Sequence, residues 1–157
     1  MTEVRGLRAS ILLAQARSRF TAGRFADVEP LLRQALAEAE QDDVPAVLLE
    51  ILSVLAFVCT SATRLRHARE ALDQASVLLA AHPGLLRPVV LDLAVARRAE
   101  LEADWATMGA AVDRTIAAGP IHADAGIAAT VAFVQACYLV ACGELAQAER
   151  CLRTARR

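Results

Sequence analysis

Four stretches of the chain superpose at one constant offset. Phe25, Leu65, Trp105 and Leu145 fall in register, as do Val28, Ala68, Met108 and Ala148, and then Leu32, Leu72, Val112 and Leu152. Upstream, Ala16, Ala56, Ala96 and Ala136 repeat one residue type at the same spacing. A period of about 40 residues marks a stack of like supersecondary units rather than a single-core enzyme fold. Stacks of that kind present extended surfaces that hold other molecules.

Each unit reads as two helices and a short turn, and no stretch shows the alternation of a strand. The first pair spans about 5–22 and 25–40, turning at Gly23, where a positive φ is free of steric cost. The second spans about 44–61 and 65–81, with Pro45 suited to the first turn of its helix. The third spans about 85–101 and 104–118, with Asp104 as N-cap. The fourth spans about 124–141 and 144–156, turning at Gly143. His82-Pro83-Gly84 and Gly119-Pro120 are stop signals between units. Pro30 would remove a hydrogen bond from its helix, so that helix either begins late, near Asp27, or bends. The expected fold is all-α: a right-handed stack of four helical hairpins forming one domain over residues 1–157, with units at about 5–41, 44–81, 85–119 and 123–157. The recurring alanines are expected to be buried between paired helices. The larger residues at Phe25, Leu65, Trp105 and Leu145 are expected to cap the turn and pack onto the next unit, leaving Trp105 largely buried.

Composition narrows the chemistry. Hydrophobic residues make up 56% but aromatics only 4%, so the core is built from Ala, Leu and Val. Net charge is −1, which offers no global field for nucleic acid. Cys59, Cys137, Cys142 and Cys151 fit no zinc or redox spacing and sit in apolar helical runs, where cysteine behaves as a small hydrophobe. No cationic stretch with a cleavage site opens the chain, so a cytoplasmic location is expected. The uncharged stretch 125–142 resembles a membrane span in composition, but it lies in the repeat register and Gln135 interrupts it. A buried inner helix accounts for it better, and no membrane partner is expected.

The series Ala16, Gly23, Phe25, Val28, Leu32 and Ala35 resembles the tetratricopeptide repeat, and Ala136, Gly143, Leu145, Ala148, Leu152 and Ala155 match it again. The second unit departs at Thr63 and the third at Ala103, both where glycine is expected, and Met108 fills a small-residue slot. The period is longer than that family's usual repeat. Longer repeats with wording such as GRFADVEPLLRQAL and GELAQAERCLRTA look like the helical module of MalT-like, LuxR-type bacterial regulators. There the module lies between an ATPase domain and a helix-turn-helix domain and senses effectors or protein partners. The chain has no GxxxxGK[ST] loop and no lysine to make one. The resemblance therefore implies a fragment of a larger regulator; the alternative is a stand-alone adaptor unrelated to transcription.

The concave face of such a stack comes from the first helix of each pair. By the register it carries Leu13, Arg17, Phe20 and Thr21, then Glu50, Ser53, Phe57 and Thr60, then Val90, Leu93, Arg97 and Glu100, then Thr130, Phe133, Cys137 and Val140. Arg17 and Arg97 hold equivalent positions, and guanidinium forks suit carboxylates. Phe20, Phe57 and Phe133 are candidate aromatic anchors. The alternative pairs these arginines with Glu100 or with solvent and puts the phenylalanines in the core. The partner-binding set is thus Arg17, Phe20, Glu50, Phe57, Arg97, Glu100 and Phe133, with a protein, peptide or small effector as occupant.

Asp42, His82 and His122 recur once per loop, but units roughly 10 Å apart are too far for one ion to bridge. No metal or cofactor is expected, and His67 reads as a surface residue. No catalytic constellation emerges, so the chain reads as a non-enzyme. The basic run Arg150, Arg153, Arg156 and Arg157 complements a helix C-terminus, and it lacks the aromatics of a nucleic-acid surface. The last unit, without a polar covering helix, is expected to leave Leu145, Ala148 and Leu152 as an apolar face open to self-association.

Overall fold

The computed structural model describes residues 6–118 and 125–155. Among them are eight α-helices, one short 3-10 turn and no strand, so the protein is all-α. His122, the Gly119-Pro120 stop, Asp124, Arg156 and Arg157 lie outside the described residues. The chain divides into two compact units, Met1–Leu91 and Asp92–Arg157.

The first unit holds α1 (Leu7–Thr21), a 3-10 turn (Phe25–Asp27), α2 (Val28–Asp42), α3 (Pro45–Ser61) and α4 (Leu65–Ala81). α1 packs along α2 and α3 along α4, while α2 also packs on α3. Pro45 stands at the start of α3 as its fixed φ favours. The 3-10 turn delays α2 until Val28, which puts Pro30 in its first turn, where the missing N–H has no partner to lose. The late start, not a bend, is the solution adopted. Gly6 precedes α1 with φ 78° and donates its N–H to Asp42 at 2.7 Å, tying the start of α1 to the end of α2.

α3 carries the core. Ile51 through Ala56 are all buried, as are Val58, Cys59 and Thr60. A helix apolar on every side must be enclosed. Its hydroxyls are satisfied within the helix, Ser53 donating to the Leu49 carbonyl at 2.6 Å and Thr60 to that of Phe57 at 2.8 Å. Leu32, Leu49 and Ile51 are among the largest fully enclosed side chains, each worth about 2–5 kcal/mol against truncation to alanine.

The second unit is built from α5 (Val89–Leu101), α6 (Trp105–Ala117), α7 (Ala125–Ala141) and α8 (Leu145–Ala155), the first turn of α5 lying before its boundary. α5 begins at Val89 rather than near Leu85, because a residue before proline is pushed out of the helical region and Pro88 sets the start. Asp104 caps α6 by accepting from the Thr107 N–H at 3.1 Å. Asp92 is buried at the α5–α6 contact and accepts from Arg114 Nε at 2.7 Å. α6 packs on α7 and α7 on α8. Gly109 makes the first of these contacts close: a Cβ there would stand 2.6 Å from the Tyr138 hydroxyl.

One turn recurs through the chain. After α1, α3, α5 and α7, residues Gly23, Thr63, Ala103 and Gly143 all take positive φ, at 73°, 58°, 55° and 82°. In each, the following N–H reaches back five residues: Arg24 to Arg19, Arg64 to Cys59, Asp104 to Ala99, and Glu144 to Leu139, at 2.8–2.9 Å. This is the Schellman-type closure that satisfies the last carbonyls of a helix. The departures from glycine at Thr63 and Ala103 therefore change the side chain and not the turn.

The recurring alanines are buried as the register requires: Ala16, Ala56, Ala96 and Ala136, together with Ala35 and Ala75. Val28, Ala68, Met108 and Ala148 are buried too. The large residues after the turn behave differently from expectation. Phe25, Trp105 and Leu145 are exposed and Leu65 is only half-buried; Trp105 keeps 46% of its surface. They stand just past the tight turn that joins the two helices of a pair. Phe25 meets Phe20 edge-on at 5.3 Å there.

Candidate binding site

In the first unit, α1 and α3 bring Arg17, Phe20, Glu50 and Phe57 together. Arg17 donates to Glu50 at 2.6 Å, and both side chains stay open to water. Phe20 contacts Phe57 edge-on at 6.1 Å. In the second unit, Arg97 and Glu100, one turn apart on α5, form an ion pair. The Arg97 guanidinium also lies over the Phe133 ring, 5.9 Å from its centroid. Arg97 is thus held by Glu100, as the alternative reading expects, whereas Arg17 is held by Glu50, a partner the sequence did not suggest. Phe20 and Phe57 are half-buried, whereas Phe133 is exposed. Leu13, Ser53, Thr60 and Leu93, assigned to the same face by the register, are core residues instead.

A cleft of about 460 Å³ opens in the second unit. Glu100, Trp105, Phe133, Ala136, Cys137, Val140, Ala141 and Leu152 line it. Trp105, the only tryptophan, is expected from the register to be largely buried against the next unit and instead stands on this wall. Burial, and then the neighbouring Glu100 carboxylate, push the Cys137 thiol above its ordinary pKa. The cleft is therefore an apolar trough with one ion pair at its edge and a protonated thiol in its wall.

The register gave no hint of a third grouping, centred on Glu29 near the start of α2. This carboxylate is buried. Arg33 donates to Oε1 through Nε at 3.0 Å and Nη2 at 2.8 Å, and Arg64 binds Oε2. His67 Nδ1 lies 3.3 Å from Oε1. His67 is thus not merely a surface residue; it is half-buried against this carboxylate. Burial pushes the Glu29 pKa up, but hydrogen bonds and charge from Arg33 and Arg64 outweigh it, so the net shift is downward. Next to it, burial and then Glu29 push the Cys59 thiol up to about 11. The members come from different helices at unrelated spacings, so only the pairing of α2, α3 and α4 brings them together.

No helix among the described residues is long and apolar enough to cross a membrane. Comparison with protein-family models, with curated proteins and with solved structures gives no match.

Proposed function

We propose that the chain is a non-catalytic interaction or sensor module of a bacterial transcriptional regulator, taking a protein, peptide or small effector through Arg17, Phe20, Glu50 and Phe57 of the first unit and Arg97, Glu100 and Phe133 of the second. The right-handed stacking of four helical hairpins belongs to the same proposal. Its support is the turn that recurs once per repeat with one hydrogen-bond pattern, and the buried alanines at that spacing. The observation that carries the binding role is the second-unit cleft, where Trp105 and Phe133 remain exposed beside the Arg97–Glu100 pair. Apolar walls with few polar groups are the usual form of a ligand site. Burial shifts the Cys137 and Cys151 thiols upward, the reverse of an activated thiol nucleophile.

The occupant that fits is an apolar segment bearing a carboxylate, which would compete with Glu100 for the Arg97 guanidinium. A panel of short amphipathic acidic peptides, read by Trp105 emission, tests this. Saturable spectral change that disappears in Phe133→Ala is the expected result. Peptide binding that leaves Trp105 unchanged would move the site elsewhere.

A further inference from the structure

We propose that Glu29, Cys59 and His67 form a zinc site, independent of the cleft. A carboxylate oxygen, a thiol sulfur and an imidazole nitrogen from α2, α3 and α4 lie within 4.8 Å of one another. Donors around a tetrahedral zinc stand roughly 3.3–3.8 Å apart, given bonds of about 2.0–2.3 Å. Small rotamer adjustments close the set. Three protein ligands of this kind leave a fourth position for water or a ligand atom. The mix of thiolate, imidazole and carboxylate selects a borderline-soft ion over calcium or magnesium.

The second observation is His67 Nδ1. It is shut off from water and has no hydrogen-bond partner, because its approach to Glu29 lacks the needed geometry. A buried imidazole nitrogen without a partner is costly, and a metal bond would remove that cost. Cys59 is fully enclosed and Glu29 nearly so, which excludes competing water from two of the three ligands.

Arg33 and Arg64 oppose a second cation here. Their side chains are 47% and 57% exposed, so each can swing into solvent and release one carboxylate oxygen. On binding, the Cys59 S–H bond breaks, its proton leaves to solvent, and the sulfur lone pair forms the bond to zinc; no oxidation state changes.

The test is titration of the reduced, chelator-treated protein with Co(II), followed by displacement with Zn(II). One equivalent should bind and give visible tetrahedral bands with a thiolate charge-transfer band. Cys59→Ser should abolish the charge-transfer band. His67→Ala, at a half-exposed position that leaves the fold intact by circular dichroism, should weaken Zn(II) binding at least about tenfold. Arg64→Ala, which removes a competing cation, should bind as tightly as the unaltered protein or more so. Zinc should raise the melting midpoint of the unaltered protein and not that of His67→Ala. Absence of one-to-one binding would overturn the proposal. So would a thiolate band that survives both Cys59→Ser and His67→Ala, since the metal would then sit on another cysteine.

Discussion

Thr63 and Ala103 stand at the same place in turns one repeat apart and hold nearly the same left-handed backbone, φ 58° and 55°. Their counterparts Gly23 and Gly143 make the same turn without a Cβ. The left-handed conformation costs an ordinary residue roughly 1–2 kcal/mol, partly offset because glycine loses more entropy on folding. Thr63→Gly and Ala103→Gly should therefore each stabilise the protein by about 0.5–1 kcal/mol, read as a higher urea midpoint. Space is open around Gly23 and Gly143. Gly143→Ala should consequently lose about as much from the backbone alone. Destabilisation by Ala103→Gly would show that the turn is not strained.

Ala96 is fully buried between helices. Ala96→Leu should cost about 1–3 kcal/mol through overpacking. Gly109→Ala meets only the tip of Tyr138, which can swing aside, so its cost should be about 1 kcal/mol. Combining it with Tyr138→Ala should recover most of that, and strict additivity of the two changes in denaturant melts would place the contact elsewhere.

Glu29 supplies a pH signature. Its folded pKa lies below the ordinary 4.5, so the unfolded chain binds more protons as pH drops through that range. Its contribution is present above about pH 4.5 and is lost as pH falls. Glu29→Gln should be less stable at neutral pH and should lose stability less steeply below about pH 5, as followed by thermal melts across pH.

Leu145 and Leu152 are exposed on α8, while Ala148 on the same helix is buried against its neighbours. The apolar face expected there is therefore narrower than the register implied. Sedimentation mass should rise with concentration, and Leu145→Ser with Leu152→Ser should reduce that rise. A concentration-independent monomer would leave self-association without support.

Much of the backbone was legible because it follows from period. Recurrence at a fixed offset located each first helix, each turn and the alanines Ala16, Ala56, Ala96 and Ala136. Pro88 was legible too, as a helix start, and reading past it placed α5 too early, at Leu85 instead of Val89. The exposure of Trp105 was not legible, since size and hydrophobicity alone favour burial and only the geometry past the turn keeps it out. The Glu29, Cys59 and His67 grouping was hidden for a different reason. Its members fall at different points of their repeats and meet only when three helices pack, so no spacing rule connects them.

The binding role turns on one ion pair, and the measurement that tests it most directly is the affinity of an acidic, apolar peptide for two variants altered on either side of that pair. Arg97 is held by Glu100, so a ligand carboxylate gains only what that glutamate gives up. Arg97→Ala should weaken binding by about tenfold, equivalent to about 1.4 kcal/mol. Glu100→Gln should tighten it by freeing the guanidinium, with helical content unchanged in both. Equal affinity in the unaltered protein, Arg97→Ala and Glu100→Gln would contradict a carboxylate site on this face.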